Sequence, residues 1–266
     1  VGSDDGTAEA IRLAYNRSAA AWMSGPDTLY GRLAEALLTA APLPMAGARV
    51  LDLGAGTGVA GRAAIAAGAR QVVAVDIAED MLRSGLGAPA DVALPVVADA
   101  THLPFTAQAF DIVCAAFCLG HLPDPVAALK EARRVGRSIV ASAFAAGWTH
   151  PAKAAVDDAL GEFGYSAPAW HVALKDHLEP QVGDPQRLAL AATAAGYSRV
   201  DVSVVSVPSG LNTPAELVRW RLGMAHLAPF VQGLAPADLE RATLAAEAAL
   251  VGAPPPVVPM VVLAAS

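Results

Sequence analysis

The chain has only two cysteines in 266 residues, and both, Cys114 and Cys118, fall in one apolar segment. A disulfide framework needs more of them, and two thiols alone lack the ligand count of a zinc site, so no metal is expected. Basic residues are also few: 18 Lys and Arg stand against 25 Asp and Glu, for a net charge of -7. That balance gives no general electrostatic footprint for nucleic acid. Long apolar runs are missing as well. The most apolar stretch, PPPVVPMVVLAAS, is short and broken by prolines, so neither a signal peptide nor a membrane span is expected. The first residue is valine rather than methionine, as in a trimmed chain. Reduced thiols without a targeting segment lead to a cytoplasmic expectation. Charged residues make up only 16% of the chain and hydrophobic ones 55%, which excludes a disordered protein. The length suits one substantial core and is marginal for two.

What is present is an alternation of short β-branched runs with longer Ala- and Leu-rich segments. Strands are expected at Arg49–Leu53, Gln71–Val75, Pro95–Ala98, Phe110–Ala116, Ser138–Phe144, Ser198–Val207 and Val257–Ala265. Strands alternating with helices imply an α/β fold with a mostly parallel sheet covered on both faces. Helix-end signals agree. Asp124-Pro125 and Asp184-Pro185 each put a capping residue before a proline suited to the first helical turn. Thr213-Pro214-Ala215-Glu216 fits a capping box, and Gly196 stands where a helix end wants glycine. Leu29, Leu33 and Leu37 recur at helical spacing ahead of the first strand. The expected organisation is a single domain over 1–266. It divides into a helical cap at 1–46, a core at 47–144, and helical lids at 145–183 and 210–252.

The stretch RVLDLGAGTG runs a buried strand into three glycines at alternate positions, Gly54, Gly56 and Gly58. Glycines there remove Cβ atoms, so a ligand can approach a turn whose N–H groups and helix N-terminus favour anions. The pattern alone is weak, because Gly56, Gly58 and Gly61 also fit a dinucleotide G-x-G-x-x-G. VVAVDIAEDM then puts Asp76 at the end of the second strand, where a carboxylate can accept from a ribose diol. VVADATHLPF puts Asp99 after the third, able to meet an adenine amino group, although an aspartate there also caps turns. FDIVCAAFCLGHLPDP follows, with an acidic residue at the start of the fourth strand and a His-Leu-Pro segment after it.

With these motifs in order over roughly 49–135, the chain resembles the class I S-adenosylmethionine-dependent methyltransferases, in particular the small-molecule branch related to ubiquinone and menaquinone methyltransferases. The resemblance implies a Rossmann-like doubly wound seven-stranded sheet with an antiparallel last strand, S-adenosyl-L-methionine as cofactor, and a small-molecule acceptor. It also implies roles by position. Asp52 would support the glycine turn and the methionine amino group, and Gly54, Ala55 and Gly56 would meet the methionine part through backbone. Asp76 would hold the ribose, Ile77 and Met81 would flank the adenine, and Asp99 and Ala100 would contact its edge. Phe117 would lie near the cofactor. YNRSAAAW resembles a segment that covers the cofactor in this branch, which makes Tyr15 and Trp22 candidates.

His121 follows the fourth strand on the edge where open sheets bind ligands. With an ordinary pKa near ~6.5, it is a candidate base for an acceptor hydroxyl or amine; its plainer role is to order the loop. Nothing in the sequence fixes the distance of His150, His171, His177 or His226 from the reacting methyl. Trp148, Trp170 and Trp220 are candidate walls for a lipophilic acceptor, or anchors for the lids. Methyl transfer needs alignment more than acid–base help, so a missing triad does not count against an enzyme. Two alternatives stay open: a protein that binds S-adenosylmethionine without methylating, and an NAD-dependent oxidoreductase. The oligomeric state is not legible.

Overall fold

The computed structural model describes residues 4–85 and 93–266, so residues 1–3 of the expected cap and 86–92 of the expected core lie outside the described residues. The apolar runs form seven strands: β1 (Arg49–Leu53), β2 (Gln71–Asp76), β3 (Ala93–Val97), β4 (Phe110–Ala116), β5 (Gly136–Phe144), β6 (Val200–Pro208) and β7 (Val257–Ala265). They make one sheet in the order β3-β2-β1-β4-β5-β7-β6. The first five strands pair in parallel, and β7 runs antiparallel to both β5 and β6. Strand order reverses between β1 and β4, and the crevice at the carboxyl ends of such strands is where open sheets take ligands.

Three strand boundaries differ from expectation by more than one residue. β3 starts at Ala93 rather than Pro95, because Ala93 and Leu94 already pair with Val72 and Val73. β5 starts at Gly136 rather than Ser138, because Gly136 pairs with Phe110. β6 starts at Val200 rather than Ser198, because the N–H groups of Ser198 and Arg199 both go to the Ser266 carbonyl instead of a regular ladder.

Twelve α-helices surround the sheet among the described residues. α1 (Asp4–Ser24) and α2 (Pro26–Leu38) precede it; α3 (Val59–Ala66), α4 (Glu79–Gly85) and α5 (Pro125–Val135) connect the parallel strands. The segment after β5 holds α6 (Pro151–Gly161), α7 (Ala169–Ala173), a π turn at Leu174–Leu178 and α8 (Glu179–Val182), and α9 (Pro185–Ala194) leads into β6. Between β6 and β7 lie α10 (Pro214–Leu222), α11 (Ala228–Val231) and α12 (Pro236–Ala249). The capping signals are realised. The carboxylate of Asp124 accepts from the Ala127 N–H, and that of Asp184 from the Gln186 and Arg187 N–H groups. Thr213 and Glu216 form the reciprocal capping box. Gly196 sits past α9 at φ +94°. The π turn has a local cause: Pro180 has no N–H to give, and the Glu179 N–H bonds the Leu174 carbonyl five residues back.

Alternation along the strands divides the core. Val50, Ile112 and Val140 pack on one face with Leu29, Leu33 and Leu37 of α2. Leu51, Val113 and Ile139 pack on the other with Leu129 of α5 and Leu188 of α9. Each of these leucines is fully buried, which contributes about 1.5–3 kcal/mol apiece. Asp111, the acidic residue near the start of β4, accepts from the Arg49 N–H and pairs with the Arg49 and Arg137 side chains. It ties the amino ends of β1, β4 and β5 together, at the edge opposite the ligand crevice.

Candidate active site

The turn after β1 is left-handed at alternate residues: Gly54, Gly56 and Gly58 have φ of +69°, +55° and +81°. Side chains rarely adopt that region, so the sequence spends glycine there. A Cβ on Gly54 would also meet Cys118 Sγ at 2.5 Å, whereas one on Gly56 would come no nearer than 3.4 Å, to Met81 Cε. Gly54 lacks a side chain because the turn after β4 crosses it. Gly56 is half-exposed and leaves a surface that an incoming group can press against.

Two carboxylates hold this turn. Asp52 is 1% exposed; its Oδ2 accepts from the Gly61 N–H at 2.7 Å and its Oδ1 is buried with no partner. Burial pushes the Asp52 carboxyl up to about 7. Asp76 closes β2, and its two oxygens accept from the Gly56 N–H at 2.7 Å and the Ala78 N–H at 2.8 Å. Burial raises its pKa also, against hydrogen bonds from the Ala78, Gly56 and Ile77 backbone. Ile77 beside it is 43% exposed, a large apolar side chain bared at the crevice. Asp99 is exposed and its Oδ1 caps its own turn, accepting from the Thr101 N–H and hydroxyl at 2.8 Å each. Ala55 and Ala100 are buried, so what they offer the crevice is backbone.

α1 lies over this edge. The Asn16 side-chain oxygen accepts from the Asp80 N–H, which fastens α1 to the start of α4. Tyr15 Oη lies 2.8 Å from His121 Nε2, and His121 Nδ1 lies 3.0 Å from the Phe117 carbonyl. A carbonyl only accepts, so Nδ1 carries the proton, and the Tyr15 hydroxyl donates to Nε2. Burial pushes the His121 pKa below its ordinary value and that of Tyr15 well above. Phe117 holds φ +56°, a costly conformation for an aromatic residue, and its ring packs on Tyr30 and Phe144. Met81 is buried in one cluster with Trp22 of α1, and Trp22 is wedged between Tyr15 and Tyr30.

Behind the pair opens a cavity of about 410 Å³ whose walls include Tyr15, His121, Trp148, Trp170, Trp220 and Arg221. The three tryptophans expected as acceptor walls, Trp148, Trp170 and Trp220, all line it; Trp22, the candidate from the covering segment, does not. Gly54, Gly56, Asp76 and Asp99 are not in its walls, and His121 and Phe144 are the residues it shares with the carboxyl edge. Its lid side holds groups that no sequence pattern joins. The His171 and His226 rings stack at 3.7 Å. Arg221, 4% exposed, gives Nη2 to Asp157 at 3.2 Å and to His226 Nε2 at 3.1 Å. Lys153 lies over the Trp148 ring and donates to its carbonyl. His150, by contrast, is structural: it caps α6 and contacts the Pro254 carbonyl. His177 is exposed and outside the cavity. Among the described residues no cluster of His, Cys, Asp or Glu is placed to hold a metal, and Cys114 and Cys118 are unpaired.

Sheet order, glycine turn and acidic strand end define the fold of the S-adenosylmethionine-dependent methyltransferases. Residues 51–139 match the methyltransferase domain family. A demethylmenaquinone methyltransferase of Clavibacter sepedonicus is 42% identical over 127 residues, 47% of this chain and 50% of that protein. The chain thus spans about half the length of the curated relatives it matches. A solved structure from Anabaena variabilis, described as a candidate methyltransferase of an antibiotic biosynthesis pathway, superposes with a TM-score of 0.60. It is 18% identical and covers 87% of this chain and 96% of its own. A phosphoethanolamine N-methyltransferase of Haemonchus contortus, solved with S-adenosylhomocysteine, gives 0.55 at 18% identity over 88% of this chain and 52% of its own. These likenesses establish the fold. With the domain match they leave the dinucleotide reading of Gly56, Gly58 and Gly61 without support. Both lids lie outside the matched domain.

Proposed function

We propose that the protein transfers a methyl group from S-adenosylmethionine to a small molecule whose reacting atom carries a proton, a hydroxyl above all. The observation that carries this reading is the Tyr15–His121 hydrogen bond, which sets a proton path on the wall of an aromatic-lined cavity. The residues present fit the cofactor. Asp52 Oδ1 is a buried acceptor without a partner, Gly56 offers bare backbone, Asp76 stands at the strand end, and Ile77 is exposed beside it. Gly54, Ala55 and Gly56 would meet the methionine part and Asp76 the ribose. Ile77 and Met81 would flank the adenine, with Asp99 and Ala100 at its edge, and Tyr15 and Phe117 would bound the site. The cofactor, when bound, supplies an electrophilic methyl group.

This chain's part is to place and deprotonate the acceptor. His121 Nε2 already accepts the Tyr15 proton, so an acceptor hydroxyl reaches the imidazole through Tyr15 Oη. As the acceptor proton passes to Oη, the Tyr15 proton passes to Nε2. The cavity aromatics hold the acceptor against the edge and exclude water, and alignment supplies much of the remaining rate. Residues 1–46 serve as cap and 145–183 and 210–252 as lids of one domain. Two unpaired cysteines support a cytoplasmic setting. Calorimetry with S-adenosylmethionine, S-adenosylhomocysteine and NAD tests the cofactor: the first two should bind and NAD should not. Release of S-adenosylhomocysteine with phenolic acceptors tests the transfer. Binding of NAD alone would overturn the proposal.

A further inference from the structure

We infer that the acceptor carries an anionic oxygen group, a carboxylate in its simplest form, held by Arg221 and Lys153 at the end of the cavity formed by the lids. This rests on the methyl-transfer reading and names its substrate class. The charges in the cavity wall do not balance. Lys175 and Glu179 pair with each other at 2.7 Å, which leaves Arg221 and Lys153 facing Asp157. Asp157 is a poor counter-ion for the buried guanidinium, since its side chain is 43% exposed while that of Arg221 is 5% exposed. The other partner of Arg221 Nη2 is His226 Nε2, which must be unprotonated to accept, so that imidazole is neutral. Arg221 Nε has no partner at all. A cation removed from water with one half-solvated carboxylate and an orphaned donor is under-compensated.

The neighbouring groups register the same field. Burial holds His171 down to about 3, with the charges of Lys175 and Arg221 adding most to it, and the His226 pKa is lowered by burial and then by Arg221. Lys153 is pushed down to about 8 by burial, with Lys175 and Arg221 adding to the effect. A neutral quinol would leave that charge unmet; a carboxylate supplies the missing partner and bidentate acceptors for a guanidinium. The cavity, at about 410 Å³, has room for a two-ring aromatic acid between the tryptophans. Its hydroxyl would then point to Tyr15 and its carboxylate to Arg221.

The test is calorimetric titration with a hydroxynaphthoate bearing hydroxyl and carboxylate at opposite ends, against the matching hydroxynaphthamide, with and without S-adenosylhomocysteine. The carboxylate should bind roughly tenfold to a hundredfold tighter than the amide, the range of a charge-assisted hydrogen bond. Arg221→Met should bring the two ligands within about threefold while amide affinity stays unchanged. If circular dichroism shows that Arg221→Met does not fold, Lys153→Met carries the test, with the preference cut by several-fold. Equal binding of the two ligands overturns the inference. So does a carboxylate that fails to bind at millimolar concentration, or a preference that survives the substitution. Failure of S-adenosylhomocysteine to bind would instead strike the cofactor reading, and the carboxylate-to-amide ratio still decides this one.

Discussion

Tyr15→Phe removes one oxygen atom and tests the proton path most directly. Tyr15 Oη lies 2.8 Å from His121 Nε2, and Nδ1 is committed to the Phe117 carbonyl at 3.0 Å. The only lone pair of the imidazole therefore points at Tyr15, and the two side chains act as one base. General-base assistance is worth about 10²–10⁴ in rate, so Tyr15→Phe and His121→Ala should each lower kcat by that factor. The double variant should lose no more than the worse single one, because both serve one path; independent roles would multiply to about 10⁴–10⁸. Single-turnover release of S-adenosylhomocysteine with a phenolic acceptor measures the rates, and calorimetry should show cofactor affinity within about twofold of wild type. The pH profile gives a second reading. Burial pushes the His121 pKa down, so the imidazole stays neutral through neutrality and the acid limb of kcat should fall below the ordinary ~6.5. Near-normal turnover by Tyr15→Phe, or a multiplicative double variant, would refute the relay and leave alignment as the source of the rate.

Asp76→Ala should weaken S-adenosylmethionine binding by roughly tenfold to a hundredfold, since a charged acceptor contributes about 1.5–3 kcal/mol; unchanged calorimetric affinity in a folded variant would remove the ribose assignment. Gly56→Val should abolish binding, because φ +55° disfavours a β-branched residue and its side chain would stand where the ligand presses; normal binding would show the cradle lies elsewhere. Stability should fall as the pH drops below ~6.5, because burial keeps His121, His171 and His226 neutral and the unfolded chain then binds more protons. Asp52 and Asp76, whose pKa values are raised, oppose this with two groups against three, so a urea midpoint that rises between pH 7 and pH 5 would contradict the assignment.

The geometry of the sheet's carboxyl edge was legible because its constraints are local. A left-handed turn demands glycine at fixed positions, an acid at a strand end follows from the strand, and proline after a capping residue marks a helix start. Gly54, Gly56, Asp76 and the caps at Asp124, Asp184 and Thr213 were each readable within a few residues. The lid pocket was not. Arg221 meets Asp157 across 64 positions of chain, and Tyr15 meets His121 across 106. No periodicity joins such pairs. Trp22 shows the same limit from the other side: its burial between two tyrosines follows from where α1 packs, which the segment YNRSAAAW does not state. A weak signal for Arg221 did exist. It stands directly after Trp220 and five residues before His226, near the end of a helix whose apolar stripe should have excluded a charge.

That misplaced charge leads to an expectation about stability. Removing one member of a buried ion pair usually costs several kcal/mol, because its partner is left buried and charged. Here the partners left behind would be Asp157, whose side chain is 43% exposed and can be solvated where it stands, and the neutral His226 Nε2, which loses a donor but carries no charge. Replacing Arg221 by methionine therefore removes a desolvated cation and an orphaned Nε donor, and strands no buried carboxylate. Methionine also fills most of the volume against Trp220 and tolerates an irregular site. The balance favours a melting temperature equal to or above that of wild type, while affinity for an anionic acceptor falls. A residue that lowers stability where it stands and raises ligand affinity is retained for binding. For a chain of this size about 1 kcal/mol corresponds to roughly 2–4 °C, so the change is measurable by calorimetric melting without ligand. A fall of more than about 4 °C would show that the arginine is a structural pillar of the lid, and its position in the cavity wall would then say nothing about the acceptor.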